Sequence, residues 1–123
     1  RIRVSARRKL PEALFATGIP FHGRPGHAQF LKEMTSVMGE VAGIRRMGAA
    51  ALDLAYVAAG RYDGFWEAGL SPWDIAAGIV LVREAGGMVT DLKGGDTMIE
   101  TGGIVAANDV LHGPLLKLLA KSA

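Results

Sequence analysis

The 123-residue sequence contains no cysteine, which removes disulfides, zinc–thiolate sites and thiol nucleophiles from consideration. A reducing compartment fits that absence, and a cytoplasmic protein is expected. No apolar run reaches the ~18 residues that a membrane-spanning helix needs. The N-terminal residues lack the basic, apolar and small-residue succession of a signal peptide. The formal net charge of +2 is too small to argue for a nucleic-acid partner by itself. Dinucleotide and nucleotide-triphosphate fingerprints (G-x-G-x-x-G, G-x-x-x-x-G-K-[ST]) are missing, as is a G-x-S-x-G nucleophile elbow. Methionine is missing from the first position, where Arg1 stands, so a segment of a longer chain is expected. Glycine is what abounds: 17 residues, roughly twice the usual share, most of them ending apolar runs and implying tight turns.

Apolar periodicity divides the chain into short elements. Residues 1–10 alternate Ile2, Val4 and Ala6 against Arg1, Arg3 and Ser5, the pattern of a half-buried strand. The run from Ala13 to Gly18 reads as a buried strand, and the loop to Gly26 is dense in turn residues. His27, Phe30, Leu31, Met34 and Met38 recur at helical spacing, with Gly39 as a stop. Strands are expected over 41–47, 62–67, 88–92 and 104–107, and helices over 49–59 and from Ser71 to Gly86-Gly87. A last helix follows Asn108-Asp109, carrying Val110, Leu111, Leu115, Leu116 and Leu119. Alternation of strands and helices with short links predicts an α/β fold, a mixed, largely parallel sheet with helices on both faces. Ligands in such sheets bind beyond the carboxyl ends of the strands.

Three segments carry candidate chemistry. In Ser71-Pro72-Trp73-Asp74, the aspartate stands three residues after an N-cap serine, where it can close a capping box. A carboxylate has two oxygens, so capping leaves one for a hard cation or a substrate. Glu67 ends an aromatic strand and reads either as a solvent-facing strand end or as an acceptor for a polyol hydroxyl. Arg45-Arg46-Met47-Gly48-Ala49-Ala50 puts two arginines before a helix start whose first amides are unpaired donors. That segment can bind an anion or a hydroxyl, or its small residues can simply allow close packing; one arginine of the pair can serve a salt bridge within or between subunits. His22 and His27 have no partners at metal-ligand spacing. The basic residues Arg1, Arg3, Arg7, Arg8 and Lys9 lack interleaved aromatics for base stacking, so nucleic acid is not the expected partner.

Taken in order, Arg45 to Ala51, Asp63-Gly64-Phe65-Trp66-Glu67, Trp73-Asp74-Ile75-Ala76-Ala77-Gly78 and Glu84-Ala85-Gly86-Gly87 resemble the inositol monophosphatase family, most of all its bacterial members. That family lies within the magnesium-dependent, lithium-sensitive sugar and nucleotide phosphatases. The likeness extends over nearly the whole chain but covers only the C-terminal half of a family member. It implies that residues 1–123 are the C-terminal segment of a layered αβαβα phosphatase domain, with residues 1–10 joining a sheet of the absent half. It implies a site with two or three Mg²⁺ ions, inhibition by Li⁺, an inositol or sugar phosphate substrate and a homodimer. Asp74 matches the catalytic aspartate that completes the metal site beside the substrate, and Glu67 matches the glutamate that takes an inositol hydroxyl. Gly48, Ala49 and Ala50 match the backbone lining the substrate pocket, and Arg45 an arginine near it. Many relatives carry serine or threonine where this chain has Ala49, so a hydroxyl contact is lost there. The family's upstream glutamate and D-P-[LI]-D-G-T motif are absent, and Asp63-Gly64 and Asp96-Thr97 lack the second aspartate. The chain alone is therefore expected to be an incomplete phosphatase. Alternatives are a sibling phosphatase acting on fructose bisphosphate, histidinol phosphate or an adenosine bisphosphate, and a non-catalytic binding or assembly module.

Overall fold

Five short strands form one mixed sheet in the order β2-β1-β3-β5-β4 in a computed structural model describing residues 1–20 and 22–122. They are β1 (Leu14–Thr17), β2 (Gly43–Arg45), β3 (Gly64–Glu67), β4 (Met88–Thr90) and β5 (Ile104–Ala107). The helices are α1 (His27–Met38), α2 (Ala50–Ala58), α3 (Pro72–Glu84), α4 (Met98–Thr101) and α5 (His112–Lys121). β1 pairs in parallel with both β2 and β3, whereas β5 runs antiparallel to β3 and to β4. The α/β expectation holds, with as many antiparallel pairings as parallel ones.

Strand alternation sorts the side chains into two layers. Ala16 and Phe65 face Leu54, Val57, Ile75, Ile79 and Val82 of α2 and α3. Phe15, Trp66, Val105 and Ala107 face Val37 of α1 and Leu115, Leu118 and Leu119 of α5. The helices thus lie on both faces. Gly78 lets α3 close on α2, since a Cβ there would run into the Leu54 side chain. The chain leaves β1 through α1 on one face to reach β2, then crosses by α2 on the other face to β3 on the far side of β1. Between β1 and β3 the winding reverses, and a crevice opens at their carboxyl ends.

Three segments differ locally from the periodic pattern. Residues 1–9, expected to join a sheet of the absent half, pair with no strand of this sheet; apart from the turn at Lys9 they make one backbone bond among the described residues, Val4 N–H to the Ala85 carbonyl at 3.1 Å, and Ile2 stays 47% exposed. Polar anchors hold the segment instead. Buried Asp63 accepts from the Ser5 hydroxyl, from Arg7 Nη1 at 3.5 Å and from the Leu14 amide at 2.7 Å. The Asn108 amide donates to the Ser5 and Arg7 carbonyls at 3.2 and 2.8 Å. Asp63→Ala should therefore strand a buried amide and release the N-terminal segment, lowering stability by about 1–3 kcal/mol in urea unfolding.

The second segment is α1, whose buried line is Phe30, Glu33 and Val37, while Leu31 and Met38 are 64% and 60% exposed. Hydrogen bonds from Ser36 Oγ to the Leu118 carbonyl (2.6 Å) and from Gln29 Nε2 to the Ser122 carbonyl (3.3 Å) set that rotation against α5. Third, α5 begins only at His112, because Asn108 Oδ1 caps a preceding turn through the amides of Val110 and Leu111.

Candidate active site

A cleft of about 730 Å³ opens at the carboxyl ends of β1 and β3, where the winding reverses. Gly48, Ala49, Ala50, Glu67 and Asp74, brought together from three separate stretches of sequence, all line it. Each is placed by an element end. Gly48 makes a left-handed turn at φ 84° after β2, and Ala49 is the N-cap of α2 without a capping side chain. The first-turn amides of α2 are therefore available to a ligand oxygen. Asp74 sits in the first turn of α3, and its Oδ2 accepts from the Ser71 amide at 3.0 Å, completing a capping box. One of its oxygens is thus fixed by the fold while the half-buried carboxylate stays on the cleft wall.

Glu67, the last residue of β3, is the most perturbed group of the cleft. Desolvation pushes its carboxyl up to about 7, nearby Asp53 and Asp74 reinforce the rise, and Arg24 and Arg46 oppose it. At neutral pH it can either accept a hydroxyl hydrogen or donate its own. Its place depends on Gly18, because a Cβ at that position would coincide with the Glu67 carboxyl group. Gly18→Ala should displace Glu67 and raise the KM for a polyol phosphate about tenfold, the worth of a hydrogen bond to a charged group. Steady-state kinetics check this, and an unchanged KM would show that Glu67 does not read the substrate.

Arg45 is not among the residues that line this cleft. It lies in a separate shallow groove with Arg7, Glu12, Leu14, Ala42 and Gly43, while Arg46 lines the cleft. The cause is the pleat, since successive residues at a strand end face opposite ways. Arg24, whose Nη1 donates to the Gly69 carbonyl, also lines the cleft, as do Gln29 and Glu33 of α1. Nothing in the residue spacing singles out Arg24, Gln29 or Glu33, although a charged residue in the buried line of α1 is a signal in hindsight. The two look-alike acidic pairs have structural duties. Asp63 is the N-terminal anchor, and the Asp96-Thr97 turn closes around Asp91. The Thr97 hydroxyl, followed by the Gly95 amide, holds the Asp91 carboxyl down at about 2.

Metal binding can be tested on this donor set. Among the described residues no group of three or more His, Cys, Asp or Glu side chains is placed to hold an ion. Asp74 is one anionic ligand, and Mg²⁺ requires an octahedral oxygen shell. The residues present thus do not fit a complete magnesium site by themselves.

The crevice at the sheet's reversal thus brings together helix-start amides, a capped aspartate and a half-buried glutamate in an α/β fold. The chain belongs to the inositol monophosphatase family, whose model matches residues 1–123. It is 56% identical to the inositol-1-monophosphatase of Mesorhizobium japonicum over 98% of its own length and 46% of that protein's. It is also 56% identical, over 88% of its length and 41% of the relative's, to a protein of Pseudomonas aeruginosa named Nus factor SuhB. The crystal structure of the extragenic suppressor protein SuhB of Bartonella henselae superposes with a TM-score of 0.96 at 54% identity, covering 100% of this chain and 48% of that one. The Anabaena inositol monophosphatase gives 0.87 at 41% identity, covering 98% and 50%. The chain therefore spans about half the length of the relatives it matches. No helix among the described residues is long and apolar enough to cross a membrane.

Proposed function

We propose that this chain is the substrate-reading half of a magnesium-dependent phosphatase acting on inositol monophosphate. The observation that carries the reading is the convergence of Asp74, Glu67 and the uncapped start of α2 on one cleft in a member of this family. Asp74 supplies one carboxylate to the metal cluster, and the remaining ligands come from the half of the relatives that this chain does not cover. The ions would activate water and stabilise the leaving alkoxide. This chain's own residues bind and orient: Glu67 takes a ring hydroxyl, and the α2 amides take an oxygen of the polyol. Residues 1–9, tied down by Asp63 and Asn108, lead into the absent half. Assembly as a cytoplasmic homodimer inhibited by Li⁺ belongs to the same proposal.

The test is magnesium-dependent phosphate release from inositol 1-phosphate by the protein at full natural length. Fructose 1,6-bisphosphate, histidinol phosphate and an adenosine bisphosphate serve as comparison substrates. A higher kcat/KM for one of those three would replace inositol phosphate by the sibling substrate, and no release from any would leave a binding or assembly role. The name Nus factor attaches to relatives, and the geometry of this cleft supports the phosphatase reading.

A further inference from the structure

Glu33 is a charged residue in a place that helical patterning reserves for apolar side chains. It stands between Phe30 and Val37 on the buried line of α1 and is only 8% exposed, yet it lines the cleft. Burial costs a carboxylate several kcal/mol unless hydrogen bonds compensate. One compensation is visible: the indole Nε1 of Trp66 donates to Glu33 Oε1 at 3.2 Å. Desolvation raises its carboxyl above the ordinary glutamate value, with the Trp66 and Gln29 side chains opposing the rise.

Its position relative to the winding gives the carboxylate a use. The cleft lies where the chain changes faces, so its two walls come from opposite helical layers. Gly48–Ala50 and Asp74 belong to the α2/α3 layer, and Gln29 and Glu33 to the α1/α5 layer. Glu67 and Trp66 are consecutive on β3, so they point to opposite layers. Glu67 serves the first wall, and Trp66 braces Glu33 on the second. The Trp66 carbonyl is itself fixed by the Thr17 hydroxyl at 2.8 Å, immediately before the Gly18 that seats Glu67. Glu67 on the end of β3 and Glu33 on α1, braced by Trp66 of the same strand, thereby flank the crevice from its two sides.

From this geometry we infer that Glu33 is a second substrate-reading carboxylate, accepting a hydrogen bond from a ring hydroxyl on the side of the polyol that Glu67 does not face. The inference rests on the proposed substrate class but concerns a residue that the reading above leaves unused. It gives the site a preference for rings with hydroxyls on two edges over small phosphate esters such as glycerol 2-phosphate, which cannot span both walls.

Calorimetric binding of myo-inositol 1-phosphate and of glycerol 2-phosphate to the full-length protein, wild type and Glu33→Gln, tests this. Glutamine keeps an oxygen for the Trp66 indole and changes the volume little, so the fold is preserved while the charge is removed. The expected result is about tenfold weaker binding of the inositol ester with no change for the glycerol ester, since a hydrogen bond to a charged acceptor is lost for one ligand alone. Trp66→Phe removes the brace and should weaken the inositol ester in the same direction, restoring nothing when combined with Glu33→Gln. Equal weakening of both esters would make Glu33 a structural partner of the indole and overturn the inference, as would no change for either or no binding of the inositol ester by wild type. Binding that depends on Glu33 in a protein releasing no phosphate would uphold the inference and sink the phosphatase reading instead.

Discussion

Asp74→Asn is expected to leave the full-length protein folded and to reduce phosphate release by a hundredfold or more. The two halves of that result come from two oxygens of one side chain. The oxygen that accepts from the Ser71 amide survives as the carboxamide oxygen, so the capping box of α3 is retained. Loss of stability should stay below ~1 kcal/mol, the ordinary worth of a whole N-cap. The negative charge disappears, and with it the contribution to holding a hard cation that the proposed function assigns to this residue. Even the outer hydrogen-bond partners of metal ligands cost roughly 10–100-fold when removed, so a ligand itself should cost at least that. Urea unfolding and kcat/KM measured on the same preparation separate the effects. A folded variant with full activity would show that Asp74 is a helix cap and no more, and an unfolded one would show that its capping duty is far larger than its geometry implies.

The second large effect concerns pH and a residue outside the cleft. Asp53, in the first turn of α2, is completely buried, and among the described residues neither carboxylate oxygen has a hydrogen-bond partner. Burial pushes it from an ordinary 3.8 up to about 6. The folded state therefore holds a proton that the unfolded chain has already released between those values. Stability is full below about pH 4 and falls as pH rises through 6, by on the order of 3 kcal/mol if ionisation is the whole cost. Glu67, raised from 4.5 to about 7 by the same desolvation, extends the decline in the same direction toward neutrality, with its half-exposed position limiting the size.

Asp53→Asn cannot ionise and should flatten most of the fall in urea midpoint between pH 4 and pH 6, and Glu67→Gln the part that continues to pH 7. The slope is the readout here, because a buried asparagine brings its own unpaired donors and shifts the absolute midpoint. A wild-type midpoint that rises with pH would show that Asp53 is paired and charged in the folded protein.

What could be read in the sequence followed from how local each feature is. Asp74 was legible because a capping box has a fixed spacing, and the cleft's position was legible because alternating elements imply where strands end. The sheet's mixed character was likewise readable, though the antiparallel placement of β5 against β3 and β4 depends on pairing between distant residues. Arg45 and Arg46 could not be told apart, since a one-residue shift in where β2 ends exchanges the wall each faces. Glu33 was hidden by the rule that found its helix, which assigns charged residues to solvent. Residues 1–9 alternated as a strand does, but the donors of Ser5, Arg7 and Leu14 meet a carboxylate 49 to 58 residues away, and polar anchoring of that range has no periodic signature.

The sheet's register also bears on how the molecule comes together. Phe15 aligns with Gly64, and Gly64 with Ala107, so the three central strands are joined only across long stretches of chain. Such contacts form late, after the entropy of closing long loops has been met. Both walls of the cleft hang from those strand ends and exist only once the pairings are complete. A polyol held between Glu33 and Glu67 would act as a clamp between α1 and the end of β3. Its binding energy would add directly to the stability of the folded sheet, and a nascent chain would be locked by the ligand it closes upon.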